Sequence, residues 1–130
     1  MLVGEVMTDN VRFVEVDDPL REALAAMHDL DVRHVPVLDE GELVGILSDR
    51  DLRAYEAASD QPESERMEVR VAEVMNTDLQ VVGPEAELVE VIDLMLEHRV
   101  GAVPVVDPST RDLVGIVSYI DVLAEARRTL

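Results

Sequence analysis

The chain has no cysteine, no lysine and no tryptophan. Without cysteine there are no disulfides, no thiolate metal sites and no cysteine nucleophile. Aromatic residues are reduced to Phe13, Tyr55 and Tyr119. The core must therefore be aliphatic, and the stacking platforms on which single-stranded nucleic acids lie are missing. No basic N-terminal segment precedes an apolar run, and no apolar stretch approaches membrane-spanning length. A cytoplasmic protein without membrane contact is the expectation. Positive charge is scarce too: 11 arginines stand against 29 acidic residues, a formal charge of −18. Such a charge opposes a phosphate backbone and argues against nucleic acid as a partner. It fits either adaptation to high salt or a biased composition.

What is present is enough hydrophobic residue, 48% of 130, for one compact domain or two halves sharing an interface. The sequence is also written twice. Val6-Met7 answers Val74-Met75, Met27 answers Met95, and Val35-Pro36-Val37 answers Val103-Pro104-Val105, all 68 positions apart. Beyond the Pro108-Ser109-Thr110-Arg111 loop, which is longer than Glu40-Gly41, the offset becomes 70. Two copies are too few for a solenoid, so a closed pair of like units about a pseudo-twofold axis is predicted. The seam of such a pair provides clefts for a ligand.

Each copy predicts the pattern βαββα. In the first, an apolar strand over residues 11–16 precedes Asp17-Asp18-Pro19, which reads as an acidic cap with proline at the first helical position. Leu20, Ala23, Leu24 and Met27 follow at helical spacing. Residues 32–38 and 43–47 read as a hairpin across Glu40-Gly41, and Ser48 opens a helix to about Ala58. In the second, strands are expected at 79–82, 100–106 and 113–117, with Leu88, Val91, Ile92 and Met95 marking the helix between them. Residues 59–70 are polar, charged and broken by Pro62, a linker between copies at 1–58 and 71–130.

The most informative local motif is Gly45-Ile46-Leu47-Ser48-Asp49-Arg50-Asp51, repeated as Gly115-Ile116-Val117-Ser118-Tyr119-Ile120-Asp121. Serine followed three residues later by aspartate at a strand-to-helix junction is a capping pattern. The same geometry suits a ligand, because a helix N-terminus with a hydroxyl attracts phosphate and a carboxylate one turn inside can accept ribose hydroxyls.

With VMT, an acidic helix start, R-H-V-P-V and G-I-L-S-D-R-D in order, and most of this twice, the chain resembles a tandem pair of cystathionine-β-synthase-type (CBS) domains, a Bateman module. The resemblance covers about residues 3–123 apart from the linker. It implies an α+β pair that binds AMP, ADP, ATP or S-adenosylmethionine in one or both clefts, regulates a protein partner, forms a homodimer and catalyses nothing itself. It makes Asp51 and Asp121 the ribose ligands, with Ser48 and Ser118 near phosphate. It also makes each site composite. Thr77 with Val100, Gly101, Val103 and Pro104 would complete the Ser48/Asp51 site; Asn10 with residues 32–36, including His34, Val35 and Pro36, would complete the Ser118/Asp121 site. Polyphosphate contacts would fall on basic residues before the strand proline.

The copies diverge there. Arg33 corresponds to Gly101, His34 to Ala102 and Arg50 to Ile120, so cationic phosphate candidates cluster in the first copy. Arg33 and Arg50 could equally pair with nearby carboxylates, and Arg99 could reach a cleft or water. His28 and His98 lie near helix ends, and the three histidines show no ligand spacing, so no metal is expected. Met7 and Met75 read as core filler. Two other readings compete with the sensor: a ligand-free dimerisation or assembly module whose Ser-x-x-Asp motifs only cap helices, and a small hydrolase or transferase. Neither motif supplies a nucleophile and base for the last.

Overall fold

The computed structural model describes residues 1–130. The elements are α1 (Val3–Val6), β1 (Val14–Glu15), α2 (Leu20–Leu30), β2 (His34–Asp39), β3 (Glu42–Ser48), α3 (Asp49–Ala58), α4 (Glu63–Arg66), a 3-10 turn at Val71–Glu73, α5 (Leu88–His98), β4 (Ala102–Val106), β5 (Leu113–Ser118) and α6 (Tyr119–Thr129). The fold is α+β. Two compact units form, one of Arg12–Leu79 and one of Met1–Val11 with Gln80–Leu130.

The units do not follow the copies as they run along the chain. Thr8 of the first copy bridges Ile116 of the second, and Asn76 of the second bridges Ile46 of the first. Both bridges are closed by two backbone bonds of 2.9–3.0 Å. Further up, Val3 and Gly4 donate to the carbonyls of Ala86 and Pro84 at 2.8 and 2.7 Å, while Val71 and Ala72 donate to Asp18 and Val16 at 2.8 and 3.0 Å. The leading segment of each copy thus completes the sheet of the other copy's unit. A repeat read from sequence alone hides this exchange, because both segments carry the same VM signature.

In the Arg12–Leu79 unit β1 runs parallel to β2, and β2 runs antiparallel to β3. The hairpin turns on Glu40 and Gly41, at φ 51° and 85°, the two positive values that a two-residue turn matched to strand twist requires. In the other unit β4 and β5 repeat this hairpin. The strands predicted at 11–16 and 79–82 are shorter than expected, being two residues and a single bridge of Val82 to Val105. Proline sets the limit. Val82 donates to the Pro104 carbonyl and accepts from Val106; extending that parallel ladder backward needs an N–H at Pro104, which proline lacks. Pro36 holds the matching place beside β1.

Pro19 is the N-cap of α2, not its first helical residue. The free amides of Leu20 and Arg21 donate instead to the carbonyls of Val69 and Met67 at 2.9 and 3.1 Å, so the end of segment 59–70 caps the helix. Both cores are aliphatic. Val14, Leu20, Ala23, Ala26, Met27, Val35, Val37, Leu47, Leu52 and Val71 fill one; Val3, Val91, Val103, Val105 and Val117 fill the other.

Candidate functional site

Each hairpin ends in serine, and each serine starts a helix. The Ser48 side chain accepts the Asp51 N–H at 3.0 Å, while Asp51 Oδ2 accepts the Ser48 N–H at 2.9 Å and the Ser48 hydroxyl at 2.8 Å. Ser118 and Asp121 repeat the arrangement at 3.3, 2.9 and 3.2 Å. Both motifs are therefore complete capping boxes. In each, Oδ2 takes both bonds, and Oδ1 keeps its acceptor sites. All four side chains are half-buried at the end of their sheet. A carboxylate fixed by one oxygen and open at the other is an acceptor oriented in advance, suited to a hydroxyl-bearing ligand.

The strand edges meet the same junctions. His34 lies opposite Ser48 in the ladder, and Ala102 opposite Ser118. The Asp49 N–H donates to the Arg33 carbonyl and the Tyr119 N–H to the Gly101 carbonyl, both at 2.9 Å. The bridge of Asn76 to Ile46 sets exposed Thr77 in the unit of Ser48 and Asp51, along with Arg33, His34, Val35, Pro36 and Arg50. The bridge of Thr8 to Ile116 likewise sets Asn10, at φ 53°, in the unit of Ser118 and Asp121. Arg99, Val100, Gly101, Val103 and Pro104 belong to that same unit. Val35 and Val103 are core residues, 1% and 0% exposed, so only their backbones could meet a ligand.

Arg33 is not an unpaired cation. Its guanidinium lies 3.4 Å from Asp49, which also holds Arg53 at 3.1 Å. Sequence reasoning gave Arg33 a carboxylate partner as one option but missed Arg53; the i,i+4 spacing of Asp49 and Arg53 was the available signal. Arg50 and Arg99 form no ion pair and are exposed. Burial holds the His34 imidazole below its ordinary pKa, outweighing the opposing pull of Asp51 and Asp49, with Arg33 adding to the depression. The second copy has none of this charge, carrying Gly101, Ala102, Tyr119, Ile120 and Leu123 where the first has Arg33, His34, Asp49, Arg50 and Arg53.

The CBS domain family model matches residues 3–58 and 71–128. The chain belongs to the CBS domain family. The CBS domain-containing protein YhcV of Bacillus subtilis is 33% identical over 119 residues, covering 92% of this chain and 81% of that one. An inosine-5′-monophosphate dehydrogenase of Methanocaldococcus jannaschii is also 33% identical across 92% of this chain, but the match spans 22% of that enzyme. Among solved structures, AcuB of Vibrio cholerae superposes with a TM-score of 0.84 at 35% identity, covering 99% of this chain and 92% of that one. The CBS domain pair of MJ0100, solved with 5′-methylthioadenosine and S-adenosyl-L-methionine, superposes with a TM-score of 0.88 at 23% identity, covering 100% and 98%. That likeness establishes the shared CBS fold.

Proposed function

We propose that this CBS pair is a regulatory module that binds an adenosine-containing ligand of the AMP, ADP, ATP or S-adenosylmethionine class and passes its ligand state to a protein partner. One observation carries the reading. In both copies the hairpin leads into a Ser-x-x-Asp box whose carboxylate uses a single oxygen for the cap and keeps the other for ribose hydroxyls. The ligands named for the MJ0100 pair support the ligand class. The mechanism is population shift: a ligand that prefers one arrangement of the chain changes the surface offered to a partner by its differential affinity. No reaction is assigned to the module, since in each box the serine hydroxyl and the carboxylate oxygen beside it are engaged with each other and with backbone amides as a helix cap.

The rival reading, an assembly module without ligand, is favoured by the completeness of the caps and by apolar helix surface on α5 and α6. Thermal unfolding with AMP, ATP or S-adenosylmethionine separates the two. Ligand at about a hundred times its dissociation constant adds about 2.7 kcal/mol, a rise of several degrees. No shift with any of the three favours assembly alone.

A further inference from the structure

The matching helices α2 and α5 start under different cover. At α2 the chain from Met67 to Arg70 runs across the first turn. Leu20 and Arg21 donate to the carbonyls of Val69 and Met67 at 2.9 and 3.1 Å, Arg70 bridges Pro19, and Glu68 holds the Arg21 guanidinium at 2.9 Å. At α5, Leu88 donates to the Met1 carbonyl at 2.9 Å and Leu2 bridges Glu87; Met1 and Leu2 stand 68 positions before Val69 and Arg70. The Val89 N–H, counterpart of the Arg21 N–H, has no acceptor in that unit. Burial follows the difference. Val14, Leu20 and Ala26 are buried, whereas Val82, Leu88 and Leu94 at the same places are only half-buried, and half-buried Glu22 answers exposed Glu90. The less covered ground on the second unit is a groove of 440 Å³, open to solvent and lined by Val82, Gly83, Ala86, Glu90, Asp93 and Leu94.

We propose that this groove receives an extended segment of a partner protein that carries arginine or lysine next to apolar residues. The unit around α2 supplies the precedent: there a stretch of backbone satisfies the helix amide, and Val69 packs on the core that Leu20 belongs to. The charge required is the opposite one. Glu22 is paired with Arg21, and Arg21 with Glu68. In the second copy Val89 stands in place of Arg21, and neither Glu90 nor Asp93 meets a cation of the chain. Glu90 Oε2 accepts the Glu87 N–H at 3.1 Å, which leaves the other oxygen open. Two carboxylates beside Val82, Ala86 and Leu94 favour a segment whose basic side chains reach those oxygens and whose apolar side chains lie between them, while one of its carbonyls accepts the Val89 N–H. Residues 62–69 of a second copy, PESERMEV, would bring three glutamates to the same carboxylates, so like charge disfavours that occupant. A small molecule is disfavoured because a pocket that holds one buries most of its surface. The contact is independent of whether either Ser-x-x-Asp box holds a ligand.

Two end-blocked peptides test this, PESERMEV and PRSRRMRV, the second with arginine in place of each glutamate. Each is titrated into the isotopically labelled full chain at physiological salt and followed by nuclear magnetic resonance. The arginine peptide should bind about tenfold more tightly than the glutamate peptide, shifting the amides of Gly83, Val89 and Leu94 and sparing Glu15, Arg21 and Ala26 at the matching places. Asp93→Ala should weaken it about fivefold. Ala86→Leu, which fills the groove, should also weaken it, whereas Glu97→Ala, one turn along α5 and outside the groove, should not. Circular dichroism checks that each variant is folded, and the Asp93 and Glu97 variants carry the test if Ala86→Leu does not fold. Equal losses in Asp93→Ala and Glu97→Ala would reduce the binding to attraction by the net charge of −18 and overturn the proposal. No binding of the arginine peptide, shifts confined to places outside the groove, or tighter binding of the glutamate peptide, which would make a second copy the occupant, would each overturn it as well.

Discussion

The thioether of Met7 fills the space that a side chain at Gly115 would need, its Sδ 2.5 Å from where a Cβ would stand. Met75 stands over Gly45 in the same way, at 2.7 Å. The exchange of leading segments thus has a packing signature: a methionine from one copy closes on a bare strand position of the other. The Thr8 and Asn76 carbonyls, 3.0 and 3.1 Å from those two Cβ positions, leave little room for the backbone to retreat.

Gly115→Ala and Gly45→Ala should therefore each destabilise the protein by about 1–3 kcal/mol, the usual cost of overpacking. Combining Gly115→Ala with Met7→Ala should recover part of the loss. Urea unfolding of the single and double variants measures it; additive losses would mean that the two residues do not compete for the same space.

His34 ties stability to pH. Its folded pKa lies below the ordinary value of 6.5 because burial disfavours the imidazolium, although Asp51 and Asp49 pull the other way. Above pH ~6.5 the residue is neutral in both states and costs nothing. As pH falls below that value the unfolded chain binds the proton first, so stability is lost down to the folded pKa and then levels. His34→Gln should flatten this part of the profile. Between about pH 7.5 and 5.5 the melting temperature of the natural protein should fall relative to that of the variant; parallel curves would remove His34 as the cause.

Much of this was legible in the sequence, for reasons that differ by element. The hairpin turn at Glu40-Gly41 and the Ser48 and Ser118 caps are fixed by residues close together in the chain, so spacing reveals them, and the aliphatic character of the core follows from the scarcity of aromatic residues. The short parallel strands were overestimated because their limit lies in a partner strand, at Pro36 and Pro104. The exchange of leading segments was hidden for a similar reason, since nothing local tells Val6-Met7 which of two like sheets to join. At the candidate site, the Ser-x-x-Asp pairs could be read directly. The occupation of Arg33 by Asp49 could not, because it is a contact between a strand edge and a helix start 16 residues on.

Removing the open carboxylate without removing the cap distinguishes ligand binding from simple capping. Asp51→Asn and Asp121→Asn keep an oxygen for the serine N–H but lose the charge that strengthens a bond to ribose. A hydrogen bond to a charged group is worth about 1.5–3 kcal/mol, so each substitution should weaken its own nucleotide site at least tenfold. Calorimetry with AMP should show the tighter event lost in Asp51→Asn and spared in Asp121→Asn, since the cations lie in the first copy. The reverse order would place the phosphate away from Arg50.

Asp49 supplies the sharpest electrostatic test. It holds both Arg33 and Arg53, and it stands between Ser48 and Arg50 at the helix start where a phosphate would be attracted. Its charge opposes that phosphate and engages the cations that would otherwise favour it. Asp49→Asn removes the repulsion and frees both guanidinium groups, at a cost of about 0.3–1 kcal/mol in lost interaction with the helix dipole. AMP should then bind the Ser48/Asp51 box at least threefold more tightly, on the order of 1 kcal/mol. Adenosine, which has the ribose but no phosphate, should bind as before. Equal gains for adenosine and AMP would show that the substitution acts on the fold or the ribose contact. A loss of AMP affinity would mean that Asp49 holds Arg33 and Arg53 in their working positions, and the reading of Asp49 as a competitor would be wrong.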